Sequence, residues 1–477
     1  MAIVSTRKLT VLQSEVRLGD PHVSSDDKNS LSIIFSMYES LVSRDGMGGY
    51  RPALAESWTL EDDACAWTFT LRTPVYFHNG STLEAQDVVT SLERVCDPAM
   101  GGELGSQGVY RSYLEGAVIK ALDEHTVHIV TARPLADLLD LLVKFPIVPR
   151  GVLAGLPDSP IGSGPYRLVK GEGDLIVMKA FVEYWGGQPP VEEVHWRADS
   201  DASRRVEALL ADQADLVADL SPEGVRTVNA AGKATVFTSD SSVCATFMCN
   251  LRSGVCTDRR VRQALNYALD VPELIEKAME GAARPLNGPL TSLHFGCEPS
   301  TPPYPYDPKK AKALLAEAGY RDGLRLVLDV PTILPDEAPH LARCMAEHYG
   351  RVGISTEIKE FTDRTGYADM VRAKEIDDAC CFDSSPLSTY RVLREKFHSG
   401  IQGPWWQGYT NPEVDALIDQ AAATADNVER QDLYRRAYRL IRDDAPWIFL
   451  YSPTYTWGMG PRVRGWSAGN DGLIRLT

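Results

Sequence analysis

Residues 66–94 read AWTFTLRTPVYFHNGSTLEAQDVVTSLER, which is a strand, a turn and a helix in immediate succession. Trp67, Phe69 and Leu71 alternate with Thr68 and Thr70, the period of a strand with one face buried. Phe77-His78-Asn79-Gly80 supplies turn chemistry, because Asn and Gly accept backbone conformations that other residues avoid. A helix then opens at 82–84 and runs towards Arg94. Strand followed at once by helix is the unit from which an α/β protein is assembled.

The same alternation continues on both sides. Strands are predicted at 9–16, 126–130 and 215–219, and helices at 29–41, 136–142, 202–210, 258–269, 272–280, 307–318 and 427–442. In the first helix Leu31, Ile34, Phe35, Tyr38 and Leu41 recur at helical spacing, and Gly319 is a stop for the helix over 307–318. Gly162-Ser163-Gly164-Pro165-Tyr166 is a tight turn, and the proline-dense stretches 285–308 and 334–339 are expected as ordered loops. At 477 residues the chain exceeds what one core organises, so two or more lobes are expected.

Charge and cysteine usage narrow the function classes. The net charge of −16 argues against nucleic acid or an anionic membrane surface as partner and favours a cationic or zwitterionic ligand. No apolar run reaches the ~18 residues of a membrane helix, so no membrane insertion is expected. No charged leader with an apolar stretch and cleavage site precedes the first strand. The sequence as written is therefore expected in the cytoplasm, and in the periplasm or outside the cell if a leader has been trimmed. Nine cysteines cannot all pair, and most are expected as small buried hydrophobes. Cys380 and Cys381 are adjacent, and Cys244 and Cys249 fall on opposite faces of one strand, so neither couple bridges.

Other chemistry finds no support. The dinucleotide, phosphate-loop, zinc-protease and nucleophile-elbow motifs do not occur. His340, Cys344 and His348 share a helix face. The first and last of them stand about 12 Å apart along the axis, too far for one ion, so a packing face is expected. His125 and His128 lie on opposite faces of a strand. No cofactor and no directly ligated metal is expected.

A series of motifs carries a resemblance that extends from about Lys8 to Gly465. They are Asp20-Pro21-His22, Tyr38-Glu39-x-Leu41, the run Tyr50-Arg51-Pro52-Ala53-Leu54-Ala55-Glu56-Ser57-Trp58, and Trp67 to Arg72. Next come Val75-Tyr76-Phe77-His78-Asn79-Gly80, Asp87-Val88-Val89 with Ser91, Gly162-Ser163-Gly164-Pro165-Tyr166 and Tyr184-Trp185-Gly186-Gly187. Asp258-Arg259-Arg260-Val261-Arg262-Gln263-Ala264 and Tyr306-Asp307-Pro308-Lys309-Lys310-Ala311 complete them. In this order and spacing the chain resembles the bacterial extracellular solute-binding proteins of family 5, the oligopeptide-, dipeptide- and nickel-binding receptors of ABC importers.

The resemblance implies a periplasmic-binding-protein-like α/β fold of two lobes and three domains, with the ligand cleft between lobes. Residues 1–47, 163–243 and 456–477 would form domain I, 48–162 the attached domain II, and 244–455 the second lobe. Trp58, Trp67 and Phe69 are expected in the core, and His78 as a hydrogen-bonded scaffold residue.

It also implies where ligand chemistry sits. In peptide-binding members an Asp of the second lobe pairs with the ligand's ammonium, in a segment written aromatic-small-small-Asp before a Pro. Here that segment is Ala379-Cys380-Cys381-Phe382-Asp383-Ser384-Ser385-Pro386, and the position maps to Asp383. The residues leave a second role open, since Asp383, Ser384 or Ser385 could cap a helix starting at Leu387. The candidate ligand contacts are Asp383, Phe382, Cys381, Trp405, Trp406, Tyr110 and Asn250. Cys380 replaces the usual aromatic, Trp405-Trp406 replaces a usual Asn, and Pro339-His340 stand where dipeptide receptors carry an arginine. These departures put a generic peptide in question; Trp405 and Trp406 either offer flat surface to a ring-bearing ligand or belong to the core.

Two functions follow. One is a monomeric receptor that closes around a small amine-bearing ligand, peptide-like or aromatic, and delivers it to an ABC permease. The other is a cytosolic enzyme reusing the cleft, for instance in an amine–aldehyde (Pictet–Spengler-type) cyclisation with Asp383 as acid and base.

Overall fold

The computed structural model describes residues 6–23, 27–45, 49–61, 63–100, 108–333, 335–469 and 471–476; position 334 of the expected 334–339 loop lies outside them. The chain divides into two compact units, Met1–Ser239 with Tyr455–Thr477, and Asp240–Thr454. The first crossing thus falls four residues before the expected 243/244 step and the second one residue before 455/456. Residues 240 and 241 are fastened within the second unit. The Ser241 and Ser452 hydroxyls lie 3.1 Å apart, and Arg284 faces Asp240 at 3.6 Å.

In the first unit the strand Thr6–Gln13 is the centre of a sheet. It pairs in parallel with Val191–Ala198 on one side and Leu216–Ala218 on the other. The antiparallel strands Leu175–Ala180 and Tyr166–Glu172 extend it outward. Leu9 and Val11 pack against the helix Lys28–Met37, while Leu12 faces Val206 and Leu209 of the helix Ala202–Leu210. Helices on both faces explain why this central strand is apolar on both sides.

The opening sequence segment forms part of a separate antiparallel sheet in the order Ala55–Leu60, Ala66–Leu71, Thr126–Val130, Val118–Ala121. Trp67 and Phe69 are buried as expected, but Trp58 is half-buried. Gly80, at φ +84°, turns the chain, and the Phe77 amide closes the turn on the Ser81 carbonyl at 2.8 Å. The helix Ala85–Cys96 then starts on a reciprocal cap, with the Glu84 amide donating to Asp87 at 2.9 Å.

The helix predicted over 29–41 ends early, at Met37, because its last turn is a docking point. The Gly164 amide donates to the Met37 carbonyl at 2.8 Å. A Cβ on Gly162 or Gly164 would come within 2.1 or 2.8 Å of that oxygen, so both positions require glycine. The chain then turns Glu39 inward. Its carboxylate accepts from Ser163 at 2.9 Å, Tyr184 at 3.0 Å and the Trp185 indole at 2.8 Å, and Arg72 stacks on Trp185 at 4.2 Å. Burial pushes the Glu39 carboxyl up to about 7 against the opposing effect of these donors. Four of the quoted motifs therefore meet at one buried carboxyl group. His78 joins the same scaffold, with Nε2 2.9 Å from the Gly164 carbonyl.

In the second unit Leu324–Pro331 pairs in parallel with Ile354–Phe361 and Ala379–Ser384. Cys244–Cys249 lies antiparallel between Ala379–Ser384 and residues 447–451 of the strand Trp447–Met459. One face packs on the helices Arg259–Tyr267, Val271–Met279, Pro308–Glu317 and Ala338–Arg351. The other packs on Arg364–Ala373, Thr389–Phe397, Pro412–Ala422 and Asn427–Asp444. The side chains of the His340–Cys344–His348 column are engaged with neighbours. His348 Nε2 stands 3.1 Å from Glu273, and His340 Nε2 is 3.3 Å from the Lys277 carbonyl. No helix among the described residues is long and apolar enough to cross a membrane.

Candidate functional site

The strand Ala379–Ser384 decides how the candidate residues are sorted. Its alternation places Cys380 and Phe382 on one face with Cys244 and Met248, and Ala379 and Cys381 on the other with Ala245 and Phe247. Asp383 continues the second face. It stands opposite Ala245, which in turn stands opposite Tyr451, so Asp383 and Tyr451 share a level across three strands.

Asp383 is half-buried at the end of this strand. It is not a helix cap. The next helix is Thr389–Phe397, and its cap is Ser388, which accepts from the Arg391 amide at 3.1 Å. The helix starts two residues later than Leu387 because Ser388, not the serine pair, has the capping geometry.

A second carboxylate stands beside Asp383. Glu337 precedes the helix Ala338–Arg351 and accepts a hydrogen bond of 3.0 Å from the Tyr451 hydroxyl. Burial pushes the Glu337 carboxyl above its ordinary range, and the charges of Asp383 and Asp336 add to the shift. The same two carboxylates reach the Cys381 thiol, which burial and their charge push up, while Arg364 acts the other way. Neither Glu337 nor Tyr451 was visible as a site residue in the sequence. Each becomes a neighbour of Asp383 through strand register and a helix start far away in the chain.

The aromatic candidates belong elsewhere. Phe382 and Trp405 pack on each other with centroids 5.0 Å apart, on the sheet face opposite to Asp383. Lys396, itself 2% exposed, lies over the Phe382 ring and Arg372 over Trp405. Trp406 is half-buried and donates its indole N–H to the Tyr409 carbonyl at 2.7 Å. Of the two readings open for Trp405, core packing is the one its position supports. Asn250 follows the far end of the Cys244–Cys249 strand, about 17 Å from the level of Asp383 at ~3.4 Å per residue. Its side chain there donates to the Ile376 carbonyl at 3.0 Å. Tyr110, in the first unit, is 5% exposed and donates to the Lys144 carbonyl at 2.9 Å. Asp383 and Cys381 thus share a face with Glu337 and Tyr451, whereas Phe382, Trp405 and Asn250 do not.

An acidic pair, with Asp383 half-exposed and the Glu337 carboxyl pushed up by burial, is suited to a cation. A ligand ammonium would gain a charge-assisted hydrogen bond worth about 1.5–3 kcal/mol and relieve the repulsion between the pair.

Comparison with known proteins shows what the chain is similar to. The model of the bacterial extracellular solute-binding proteins, family 5 Middle, matches residues 49–414. The glutathione-binding protein GsiB of Shigella flexneri is 28% identical over 448 residues, covering 90% of this chain and 86% of that protein. Heme-binding protein A of Haemophilus influenzae is 27% identical over 465 residues, covering 90% and 84%. The periplasmic binding protein DppA of Helicobacter pylori, solved with the peptide STSA, superposes with a TM-score of 0.81 at 23% identity, covering 98% and 96%.

Proposed function

Because the chain belongs to the bacterial extracellular solute-binding proteins of family 5, we propose that it is an ABC-importer receptor whose solute carries a free ammonium held by Asp383. The observation that carries this reading is the level shared by Asp383 and Tyr451, with Glu337 hydrogen-bonded to Tyr451 and acting on the same thiol as Asp383. Two of the three named relatives support a peptide-like solute, since glutathione bears an ammonium and the DppA structure holds a peptide, whereas heme is neither a peptide nor an amine. Phe382 and Trp405 are engaged in the opposite face of the sheet, which favours recognition of the amine over recognition of an aromatic ring. The named relatives are binding proteins, and this favours the receptor over a condensing enzyme.

Import requires the receptor outside the cytoplasmic membrane, beside its permease, and the proposal takes it there as a monomer. The test is native mass spectrometry of the protein from its own organism with ligand retained. A processed N-terminus and an amine-bearing bound mass are expected. An unprocessed chain carrying a metabolite without an amine overturns the reading.

A further inference from the structure

A hollow of about 150 Å³ opens within the second unit, away from the residues around Asp383. Asp240 and Ser241, the first two residues of the unit, form one wall. Another comes from the short strand Ala283–Pro285, which pairs with Trp447–Met459 and sets Arg284 opposite Ser452. The loop that follows supplies Leu286, Leu290 and Cys297. These three belong to the core cluster of Phe382 and Trp405, on the sheet face opposite to Asp383, so the hollow is separate from the site already described.

Its polar groups divide into two sets. The buried ones satisfy each other. Ser452 donates to the Ser241 carbonyl at 3.0 Å, the two serine hydroxyls lie 3.1 Å apart, and the Thr291 hydroxyl is 3.0 Å from His294 Nδ1. What remains inside is the apolar surface of Leu286, Leu290 and Cys297, and a hollow of this size takes an apolar group about as large as a benzene ring. The mouth differs. Arg284 and Asp240 face each other there at 3.6 Å, with side chains 69% and 49% exposed, and neither hydrogen-bonds to a described residue. The half-buried Asn287 amide beside them also has no hydrogen-bond partner among the described residues. One cation, one anion and one neutral amide thus surround an apolar floor.

We propose that this hollow is a second binding site, which takes a small zwitterionic α-amino acid with an apolar side chain. The ammonium meets Asp240, the carboxylate meets Arg284 and Asn287, and the side chain enters over Leu286, Leu290 and Cys297. An α-amino acid carries its two charges on neighbouring carbons, so both are paired only where an anion and a cation stand as close as these do. A ligand with a carboxylate alone would bring it against Asp240, and one with an amine alone would bring that against Arg284. The volume admits a side chain of leucine size and excludes an indole.

The test is ligand-observed NMR with L-leucine on the full chain, as wild type and as Asp383→Asn, which disables the amine site proposed for the solute. Saturable transfer to the leucine methyls is expected in both. Adding Arg284→Ala or Asp240→Asn to Asp383→Asn is expected to weaken leucine roughly three- to tenfold, a modest loss because both charges stay partly in water. On Asp383→Asn itself, glycine leaves the hollow empty and is expected to bind at least about tenfold more weakly than leucine. L-Leucinamide and N-acetyl-L-leucine, each lacking one charge, are expected to weaken as the two charge variants do. Leucine that binds the wild type but not Asp383→Asn sits at the amine site, and this overturns the inference. So does binding that neither Arg284→Ala nor Asp240→Asn changes, and so does the absence of saturable binding. The ligand series on Asp383→Asn decides even if a charge variant fails to fold.

Discussion

Asp383 and Glu337 are both half-buried while Tyr451 and Cys381 beside them are buried, and this difference sets what each substitution does. Asp383→Asn keeps the shape and removes the charge. It is expected to weaken an amine-bearing ligand roughly ten- to a hundredfold, read by titration calorimetry, with little change in unfolding temperature. An equal loss for ligands with and without the amine would contradict this. Glu337 gives a pH signature. An ammonium favours its ionised form, so binding lowers its raised pKa and releases a proton. Affinity is then expected to rise with pH through the upper carboxylate range, with proton release seen as a dependence of the binding heat on buffer. Glu39 acts on stability instead. Its folded pKa is raised to about 7, so the folded state holds a proton that the unfolded chain gives up. The corresponding stability is present below the ordinary glutamate range and lost as pH rises towards 7, at no more than about 1.4 kcal/mol per pH unit. Asp329, also raised by burial, contributes in the same sense. Thermal unfolding between pH 4.5 and 7 is expected to fall less steeply in Glu39→Gln than in the wild type, a window set by the ordinary and folded values of Glu39.

Elements show which features the sequence could carry. Ala66–Leu71 was legible to the residue because one face is buried and the other is polar. Cys244–Cys249 is buried on both faces, so its pattern marks a strand without saying which side meets which neighbour. The same limit applied to Ala379–Ser384, where family spacing singled out Asp383 as a candidate but Phe382 could not be assigned to the opposite face. Trp405 and Trp406 looked like pocket aromatics because a sequence does not show that a loop folds back onto its own core. The tight contact of Gly403 with the Glu395 carbonyl, 2.4 Å from a Cβ, is a tertiary fact. Two element-level outcomes follow. Ser388→Ala removes the cap of Thr389–Phe397 and is expected to cost about 0.5–2 kcal/mol in denaturant unfolding. Gly164→Ala places a methyl 2.6 Å from the Met37 carbonyl carbon and is expected to cost at least about 1–3 kcal/mol, because backbone rather than a flexible side chain must move.

For the whole molecule, the two units and the net charge of −16 set the terms on which a ligand is met. A cationic group approaching such a surface is steered at low ionic strength, and its association rate is expected to fall as salt shortens the Debye length from about 30 Å to about 8 Å. A ligand that binds the folded chain alone also stabilises it, by about 2.7 kcal/mol at a hundred times its dissociation constant. The central claim, that the solute is recognised by its ammonium at Asp383, is tested most directly by calorimetry with paired peptides. Each free-amine peptide that binds is compared with its N-acetylated twin, on the wild type and on Asp383→Asn. Acetylation is expected to weaken binding to the wild type roughly ten- to a hundredfold and to change binding to the variant little. Acetylated peptides that bind the wild type as tightly as their free-amine twins would contradict the account.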